Sequence, residues 1–446
     1  MKKKRFRLTP ARLISLGFIL VILAGTGLLM LPAASKGESA GFLDALFTAT
    51  SATCVTGLVV RDTFTGWTTF GQAVILFLIQ LGGLGFMTVI TMISYALGKH
   101  LGLYNRKILM QSAGNTSLSG IGSLIRRIVP FTFLFELAGA TALAIRFVPR
   151  FGWARGIWFS VFHSISAFCN AGFDLMGAES PYSSLTAFQT DPLVTLTISM
   201  LVIIGGLGFL VWRDLSQSKL HWSKYQLHTK LVVMTTGVLL IGGWLLFLLL
   251  ESHASLEGLS FGDKLLASFF ESVTPRTAGF NTVDLNSMSN GGNVLTNVLM
   301  LIGGSPGSTA GGIKTTTIAV LFLSTLASAR GRTRVIACRY SIDRDLIRQA
   351  CSIVCLYLLM AITAVVAICA FDPAMDVKQV MFEANSAIAT VGLSLGITPA
   401  LSAASHVVLI LLMYAGRIGV LTFILVFSER STEPPVDRPN GKLLIG

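Results

Sequence analysis

Long uninterrupted apolar runs constrain this chain more than any other feature of its sequence. Each run is close to the roughly 20 residues that an α-helix needs to cross a bilayer core of about 30 Å. The runs are Leu13–Leu31, Ala73–Leu97, Leu193–Trp212, Leu231–Leu250, Ala350–Ala370 and Val407–Phe427. Only 12% of the residues are charged, whereas soluble domains carry roughly 25%. The sequence therefore predicts an all-α integral membrane protein with several spans.

The basic residues indicate how these spans are oriented. The net charge is +13, and most Lys and Arg residues lie between the apolar runs or before the first one. The clusters are Lys2, Lys3, Lys4, Arg5 and Arg7; Lys99, Arg106, Lys107, Arg126 and Arg127; Arg213, Lys219, Lys224 and Lys230; and Arg330, Arg332, Arg334, Arg339, Arg344 and Arg348. The positive-inside rule places such loops in the cytoplasm. We therefore expect cytoplasmic termini and a first span that is retained. The positive net charge is explained by membrane topology, so we expect no nucleic-acid binding.

One short sequence pattern recurs four times along the chain. Its copies are Ser51–Leu58, Ser166–Phe173, Val273–Phe280 and Ser386–Leu393. Their shared glycines, Gly57, Gly172, Gly279 and Gly392, are separated by 115, 107 and 113 residues. A phenylalanine lies ten residues before each glycine, at Phe47, Phe162, Phe269 and Phe382. A fixed period of this kind is typical of tandem structural repeats.

Each repeat carries a short apolar stretch before its glycine and a long apolar run on either side. The short stretches are Phe42–Thr53, Gly156–Phe168, Gly262–Thr274 and Val377–Ile388. They are too short to span a bilayer and fit re-entrant helices. The pattern predicts four tandem helix–pore-loop–helix repeats, with eight transmembrane helices and four re-entrant pore helices around a pseudo-fourfold pore. The predicted repeats are 1–98, 99–220, 221–329 and 330–446.

The four glycine turns are the candidate ion-binding residues. Non-helical backbone at membrane depth is tolerated where it is buried in protein or lines a watery cavity. Glycine permits backbone angles that turn carbonyl oxygens inward, where they replace the water shell of a cation. The predicted filter comprises Thr53, Cys54, Val55, Thr56 and Gly57; Cys169, Asn170, Ala171 and Gly172; Arg276, Thr277, Ala278 and Gly279; and Ala389, Thr390, Val391 and Gly392.

These motifs, with the runs Ile302–Thr316 and Gly416–Gly419, resemble the Trk/Ktr/HKT superfamily of potassium transporters, and most closely its bacterial Ktr-type membrane subunit. The resemblance covers residues 8–446. It implies potassium uptake across the bacterial cytoplasmic membrane, with Gly57 favouring potassium over sodium. It also implies a homodimer, a cytoplasmic ring of nucleotide-binding regulatory subunits, and stimulation by sodium. No cofactor is expected in this chain, so ATP or ADP would bind the partner only.

A proline- and glycine-rich segment interrupts the third inner helix. Such residues break helices, so a loop under the filter could obstruct the pore, and the resemblance makes it the gating loop. The predicted gate comprises Gly303, Gly304, Ser305, Pro306, Gly307, Ser308, Thr309, Ala310, Gly311, Gly312, Ile313 and Lys314, together with Arg417. A phosphate-binding loop is rejected because Ile313 separates Gly312 from Lys314 and no strand precedes.

Several charged residues near the predicted pore leave alternatives open. Arg417 lies well inside the last span, where a charge usually marks function; the resemblance makes it a barrier to cations. It could instead pair with helix carbonyls or a carboxylate such as Glu136. Arg276 is expected to brace the filter from behind, through Glu271 or Glu383. The acidic residues Asp62, Asp174 and Asp284 are either a cation-attracting mouth or turn and cap residues.

Two other functional classes fit the sequence less well. An alternating-access transporter would predict inverted repeats with broken helices in paired positions, whereas the repeats here are parallel and only one broken long helix is predicted. A membrane-embedded enzyme would need a catalytic cluster. The histidines are isolated at His100, His163, His221, His228, His253 and His406. The sequence therefore indicates a channel-like transporter with no enzymatic activity.

Overall fold

The computed structural model describes residues 10–85, 121–219 and 221–427. These residues are mostly helical, and several of the helices are apolar, so the prediction of a helical membrane protein is confirmed. The predicted basic arm at the amino terminus, the basic residues between 99 and 107, and the tail after Phe427 lie outside the described residues.

The first repeat contains four helices. They are α1 (Pro10–Leu29), α2 (Phe42–Cys54), α3 (Thr63–Gly66) and α4 (Thr69–Leu84). Helix α2 packs between α1 and α4. The hydroxyl of Thr68 accepts a hydrogen bond from the N–H of Gly71 at 3.2 Å and caps the start of α4. The helix ends where Gly85 adopts a φ of 81°, which glycine tolerates because it has no Cβ.

The second repeat has the same order with a bent inner helix. Its helices are α5 (Ile121–Phe151), α6 (Trp153–Cys169), α7 (Pro192–Leu207) and α8 (Phe209–Ser218). Asp191 caps α7 by accepting from the N–H of Leu193 at 3.0 Å, and Pro192 takes the first helical position that suits its fixed φ. Gly208, with a φ of 89°, separates α7 from α8, and the two axes differ by 92°.

The third repeat contains the interrupted inner helix. Its helices are α9 (Leu227–Glu251), α10 (Phe261–Val273), α11 (Asn290–Leu301) and α12 (Thr315–Ala329). A small hairpin of β1 (Ile336–Ala337) and β2 (Tyr340–Ser341) follows, within the predicted fourth repeat. The buried carboxylate of Glu251 ends α9 and accepts from the N–H of Ser289 at 3.0 Å. Ser289 in turn caps α11, so one carboxylate fixes the outer helix against the inner helix.

In the fourth repeat, an acidic residue again joins the end of the outer helix to the start of the inner helix. Its helices are α13 (Arg344–Phe371), α14 (Val377–Ala389), α15 (Ala403–Ile418) and α16 (Val420–Phe427). Asp372 follows α13 and accepts from the hydroxyl of Ser402 at 2.9 Å, and Ser402 caps α15. Gly419, with a φ of 89°, separates α15 from α16.

The short helices lie where the repeat pattern predicts the pore helices. Helices α2, α6, α10 and α14 begin and end within three residues of the predicted stretches. Phe47, Phe162 and Phe382 are fully buried, and Phe269 is half-buried. Short 3₁₀ turns connect the elements at Met176–Ala178, Thr186–Phe188, Trp222–Lys224, Leu285–Ser287 and Thr398–Ala400.

The inner helices are interrupted more often than predicted. The sequence indicates one broken helix, but α4 ends at Gly85, α7 bends at Gly208 and α15 stops at Gly419. Because of these breaks, four helices of the described chain are long and apolar enough to span a membrane, or five if the bent pair is one span. The expectation of a single broken helix is therefore wrong, whereas the number of eight transmembrane helices stays a prediction. Because more than one inner helix is broken, the number of breaks no longer counts against an alternating-access transporter.

The polarity of the described chain is distributed as in a membrane protein with a polar centre. Large apolar side chains such as Phe77, Leu137, Val238, Leu249 and Ile362 are more than half exposed on the outer helix faces. Hydroxyl side chains of the pore helices are almost fully buried at Thr48, Thr50, Ser51, Thr53, Ser160, Ser164, Ser166, Ser268, Ser272 and Ser386. An apolar exterior suits lipid, and a hydroxyl-rich interior suits an ion path.

Candidate ion pore

The four glycine turns share an unusual backbone. In each turn the glycine and the residue two positions before it have positive φ, and the residue between them does not. The pairs are Val55 and Gly57, Asn170 and Gly172, Thr277 and Gly279, and Thr390 and Gly392. A side chain in this region costs on the order of 1–3 kcal/mol. Four copies of the same strained pattern indicate that backbone orientation, and so the direction of the carbonyls, matters at this place.

The turns close a ring in chain order. A Cβ added to Gly57 would lie 2.5 Å from the carbonyl oxygen of Ala171, and one added to Gly172 would lie 2.9 Å from that of Ala278. The same construction on Gly279 meets the carbonyl of Val391, and on Gly392 it meets that of Thr56. Each glycine therefore faces the residue before the next glycine, and the fourth turn contacts the first. No larger residue fits at any of the four positions without moving backbone.

The carbonyls of this ring have no protein partner in the part of the chain that the structure describes. No N–H or hydroxyl donates to the carbonyl oxygens of Thr56, Ala171, Ala278 or Val391. The buried hydroxyls of Thr53, Thr56 and Thr390 are also without a partner there. Buried carbonyls are normally paired. Four converging unpaired carbonyls are the chemistry that binds a dehydrated monovalent cation.

Hydroxyls at the ends of the pore helices hold the turns in place. The N–H of Gly57 donates to Ser51 Oγ at 3.1 Å, and that of Gly392 donates to Ser386 Oγ at 3.0 Å. In the second turn the hydroxyl of Ser166 donates to the carbonyl of Phe173 at 2.7 Å, and Thr274 does the same to Phe280. All four pore helices end at the ring, so the negative ends of their dipoles favour a cation there.

The third turn departs from the others, and its predicted ion pair is wrong. Arg276 is 7% exposed, but no carboxylate lies within ion-pair distance of it among the described residues. Glu271 accepts from the N–H of Thr282 at 3.0 Å, and Glu383 accepts from the hydroxyls of Ser394 and Thr398. Each carboxylate is therefore occupied by the loop that follows the glycine turn of its own repeat.

Glycines of the inner helices pack against the ends of the pore helices. A Cβ on Gly82, Gly205 or Gly416 would collide with the carbonyl of Thr53, Phe168 or Ile388, respectively. These glycines open the related runs Gly82–Gly85, Gly205–Gly208 and Gly416–Gly419. The second position is glycine in the first two runs and Arg417 in the third. The shared spacing of these runs in the sequence indicates both the close packing and the helix breaks.

The predicted gating segment lies directly beneath the ring. Its residues 302–314 connect α11 to α12, and its two ends are joined by the N–H of Gly303, which donates to the carbonyl of Ile313 at 3.0 Å. The hydroxyl of Thr309 donates to the carbonyl of Phe168, at the end of the second pore helix, at 3.1 Å. Gly311 lies against the side chain of Thr390. The segment therefore contacts the second and fourth glycine turns or the pore helices that lead into them.

The broken inner helix α7 holds one side of this segment. The N–H of Ser305 donates to the carbonyl of Gly206 at 3.0 Å, and the N–H of Phe209 donates to that of Gly307 at 2.9 Å. Lys314 caps the start of α12, and its ammonium donates to the carbonyl of Ala310 at 2.7 Å. These contacts exist because the bend at Gly208 leaves backbone groups unpaired within α7 and α8.

Arg417 ties the segment to the first inner helix. Its guanidinium donates to the carbonyl of Thr309 and to the carbonyl of Gly82. The suggested partner Glu136 instead accepts from the side chain of Gln80 at 2.9 Å, so that pairing is wrong. Of the alternatives, pairing with backbone carbonyls is the one observed. It leaves the guanidinium of Arg417 without a carboxylate partner among the described residues.

The three acidic residues after the first three turns act as caps. Asp62 accepts from the N–H groups of Thr65 and Tyr182 at 2.7 and 3.0 Å, which joins the first two outer loops. Asp174 accepts from the N–H of Met176 at 2.9 Å, and Asp284 accepts from that of Asn286 at 3.0 Å. The turn and cap interpretation accounts for all three carboxylates.

Comparison with known proteins places the chain in a family. Over its whole length it is 42% identical to the potassium/sodium uptake protein NtpJ of Enterococcus hirae, covering 99% of that protein. It is 41% identical over 99% of its length to the Ktr system potassium uptake protein B of Bacillus subtilis, covering 98% of that protein. The crystal structure of the potassium transporter TrkH from Vibrio parahaemolyticus is similar over 96% of this chain and 86% of that one, with a TM-score of 0.74 and 19% identity.

The family model described as TrkH, cation transport protein, matches residues 10–434. The match supports the resemblance seen in the sequence, and it supports the expectation that the chain is a transporter and not an enzyme. The chain therefore belongs to the TrkH family of cation transport proteins.

Proposed function

We propose that this protein takes up potassium through a pore whose selectivity filter is the ring of Gly57, Gly172, Gly279 and Gly392. The observation that carries the proposal is the closed ring of glycines whose neighbouring carbonyls have no donor among the described residues. Carbonyl oxygens at this density suit a cation that loses its water easily, as potassium does. Relatives of similar length are named for potassium uptake or for potassium and sodium uptake, which supports the same substrate class.

Sodium is the second candidate substrate. The name of the Enterococcus hirae relative includes both ions. Against sodium, all four positions of the ring are glycine, so the four turns are alike and the ring is close to symmetric. We propose that potassium is the preferred ion, with sodium as a competitor or a stimulator of uptake.

The segment Gly303–Lys314 and Arg417 form the gate in this proposal. The segment lies under the ring, and Arg417 connects it to the first inner helix across the pore axis. A positive charge on a cation path raises the barrier to passage. Opening requires that the segment leave Arg417 and the carbonyls of α7, and both sets of contacts are hydrogen bonds that exchange readily with water.

The signal for opening comes from a partner in this proposal. Two relatives are named as protein B of a Ktr system, which supports a membrane subunit that works with a separate regulatory subunit. We propose a homodimer in the cytoplasmic membrane, with cytoplasmic termini, bound to a ring of nucleotide-binding subunits. The four repeats are bounded at residues 1–98, 99–220, 221–329 and 330–446.

Uptake of rubidium into vesicles tests the proposed substrate. The purified chain is reconstituted into phospholipid vesicles loaded with potassium chloride, and external ⁸⁶Rb⁺ or ²²Na⁺ is followed over time. We expect ⁸⁶Rb⁺ uptake that unlabelled potassium suppresses at lower concentration than unlabelled sodium does. Empty vesicles are the control for leakage. Equal suppression by the two ions, or uptake of ²²Na⁺ at the rate of ⁸⁶Rb⁺, would refute the potassium-selective filter.

A further inference from the structure

A buried carboxyl group lies behind the second filter turn. Glu136 lies in the middle of α5 and is 4% exposed. Its Oε1 accepts from Gln80 Nε2 at 2.9 Å, whereas Oε2 has no partner in the described chain. Burying a carboxyl group in a membrane span is costly. Packing alone does not explain it, because a leucine would fill similar space at lower cost.

The side chain of Gln80 connects this carboxyl to the filter. Gln80 lies on α4, and its Oε1 accepts from the thiol of Cys169 at 3.6 Å. Because its two amide atoms have different partners, the orientation of Gln80 is fixed. Cys169 is the last residue of α6 and immediately precedes Asn170, one of the positive-φ residues of the second turn. A continuous chain of contacts therefore runs from Glu136 to the filter backbone.

The fourth repeat makes contacts similar to those of Gln80 and Glu136. Gln80 lies two residues before the packing glycine Gly82, and Tyr414 lies two residues before Gly416. The hydroxyl of Tyr414 donates to the carbonyl of Ser15 on α1 at 2.9 Å. Both residues thus reach from an inner helix to the outer helix of the next repeat in the ring. At the end of the fourth pore helix, the hydroxyl of Tyr357 on α13 donates to the carbonyl of Ile388.

We propose that Glu136 is a positioning residue for potassium selectivity, which acts through Gln80 and Cys169 to hold the second filter turn. The inference rests on the proposed function, since it assumes that the ring selects the ion. The carboxyl oxygen serves as the acceptor that fixes Gln80, and Gln80 fixes the end of α6. Without that acceptor, Gln80 turns away and the turn from Asn170 to Gly172 is free to widen.

Four variants separate this role from packing. Glu136→Leu and Gln80→Leu each remove the contact, Glu136→Gln keeps an acceptor oxygen, and Thr132→Val removes a buried unpaired hydroxyl on the same helix. The readout is the ratio of ⁸⁶Rb⁺ to ²²Na⁺ uptake in vesicles. We expect Glu136→Leu and Gln80→Leu to lose about tenfold in this ratio, which corresponds to about 1.4 kcal/mol, a typical net contribution of one hydrogen bond. Glu136→Gln stays within about twofold of the wild type, and Thr132→Val is unchanged.

The double variant Glu136→Leu with Gln80→Leu tests whether the two residues act as one unit. A shared role predicts a loss of about tenfold, no larger than either single variant, because coupled residues are not additive. Thermal unfolding in detergent identifies any variant that fails to fold. If Glu136→Leu does not fold, the uptake ratios of Glu136→Gln and Gln80→Leu are compared instead. Wild-type selectivity in Glu136→Leu, or a loss of about a hundredfold in the double variant, overturns this inference alone. A wild type with no preference for ⁸⁶Rb⁺ overturns the proposed function and this inference together.

Discussion

The substitution Gly57→Ser should lower the preference for rubidium over sodium by about tenfold or more, which is about 1.4 kcal/mol. Gly57 has a φ of 98°, so a serine there adds backbone strain on the order of 1–3 kcal/mol. Its Cβ would also lie 2.5 Å from the carbonyl oxygen of Ala171, while real Cβ contacts essentially never fall below 3.0 Å. The carbonyl must therefore move by at least the 0.5 Å that separates those two distances.

A displacement of that size matters because the carbonyl of Ala171 belongs to the proposed ion path. Selectivity depends on the number of coordinating carbonyls and on the cavity that they form, and Ala171 supplies one of the four in the ring. The side chain cannot relieve the contact by rotating, since the Cβ position is set by the backbone. Strain in the first turn is thereby transmitted directly to the second.

The assay compares ⁸⁶Rb⁺ and ²²Na⁺ uptake into vesicles for the wild type, Gly57→Ser and the matched control Gly37→Ser. Gly37 has a φ of 83° and nothing within 4 Å of an added Cβ. The control therefore carries similar backbone strain without the collision, and we expect it to lose thermal stability but not selectivity. An unchanged uptake ratio in Gly57→Ser would refute the reasoning from ring geometry. A changed ratio in Gly37→Ser would show that backbone strain anywhere in the chain has the same effect.

Three further predictions concern the gate and the outer loops. Arg417→Ser removes two charge-assisted hydrogen bonds, each worth about 1.5–3 kcal/mol. The initial rate of ⁸⁶Rb⁺ uptake by the chain alone should therefore rise about tenfold or more. An unchanged rate would exclude Arg417 from the gate. Deletion of Gly311–Lys314 should likewise raise potassium flux in vesicles, and no increase would count against the loop. Burial by itself raises the pKa of Asp372, but hydrogen bonds from Ser405 and Ser402 outweigh it and hold the pKa below its usual value. Its stabilising effect is therefore complete above about pH 4 and is lost as the pH falls through the lowered pKa. Melting curves of Asp372→Asn in detergent should show less acid sensitivity than those of the wild type, and equal sensitivity would contradict this assignment.

The positions of the four glycine turns could be predicted from sequence because they depend on glycine, whose conformational freedom is a local property. The second positive-φ residue of each turn could not. It is Val55 in the first turn and Thr390 in the fourth, and β-branched residues avoid the left-handed region. Each is the C-cap residue of its pore helix, where backbone N–H groups donate to carbonyls of the last helical turn. Local propensity predicts the opposite conformation at these positions.

For the loop between α11 and α12, the helix break could be predicted from sequence, but the contacts that hold the loop could not. Its glycines and proline predict a break in the helix, and the break is observed between Leu301 and Thr315. The groups that hold it, such as the carbonyl of Gly206 and the side chain of Arg417, are about 100 residues away in sequence and have no pattern that links them to the loop. The wrong partners for Arg276 and Arg417 have this cause as well. Glu271 binds Thr282 and not Arg276, which is nearer in sequence, and Glu136 binds Gln80, which lies 56 residues away.

Because the ring closes within a single chain, the residues that lie near its centre can differ from one repeat to the next. Four identical subunits would bring four copies of every inward-facing group to the centre, and four guanidinium groups at that spacing would repel one another strongly. In a covalent ring, one quarter can carry Arg417 while its counterparts keep Gly83 and Gly206. The same freedom allows the proposed gating segment, Gly303–Lys314, to occur in one repeat without copies in the others. In the proposed pore, tandem fusion thus allows one gating segment and one charge on an otherwise fourfold path, whereas an assembly of four identical subunits would carry four copies of each.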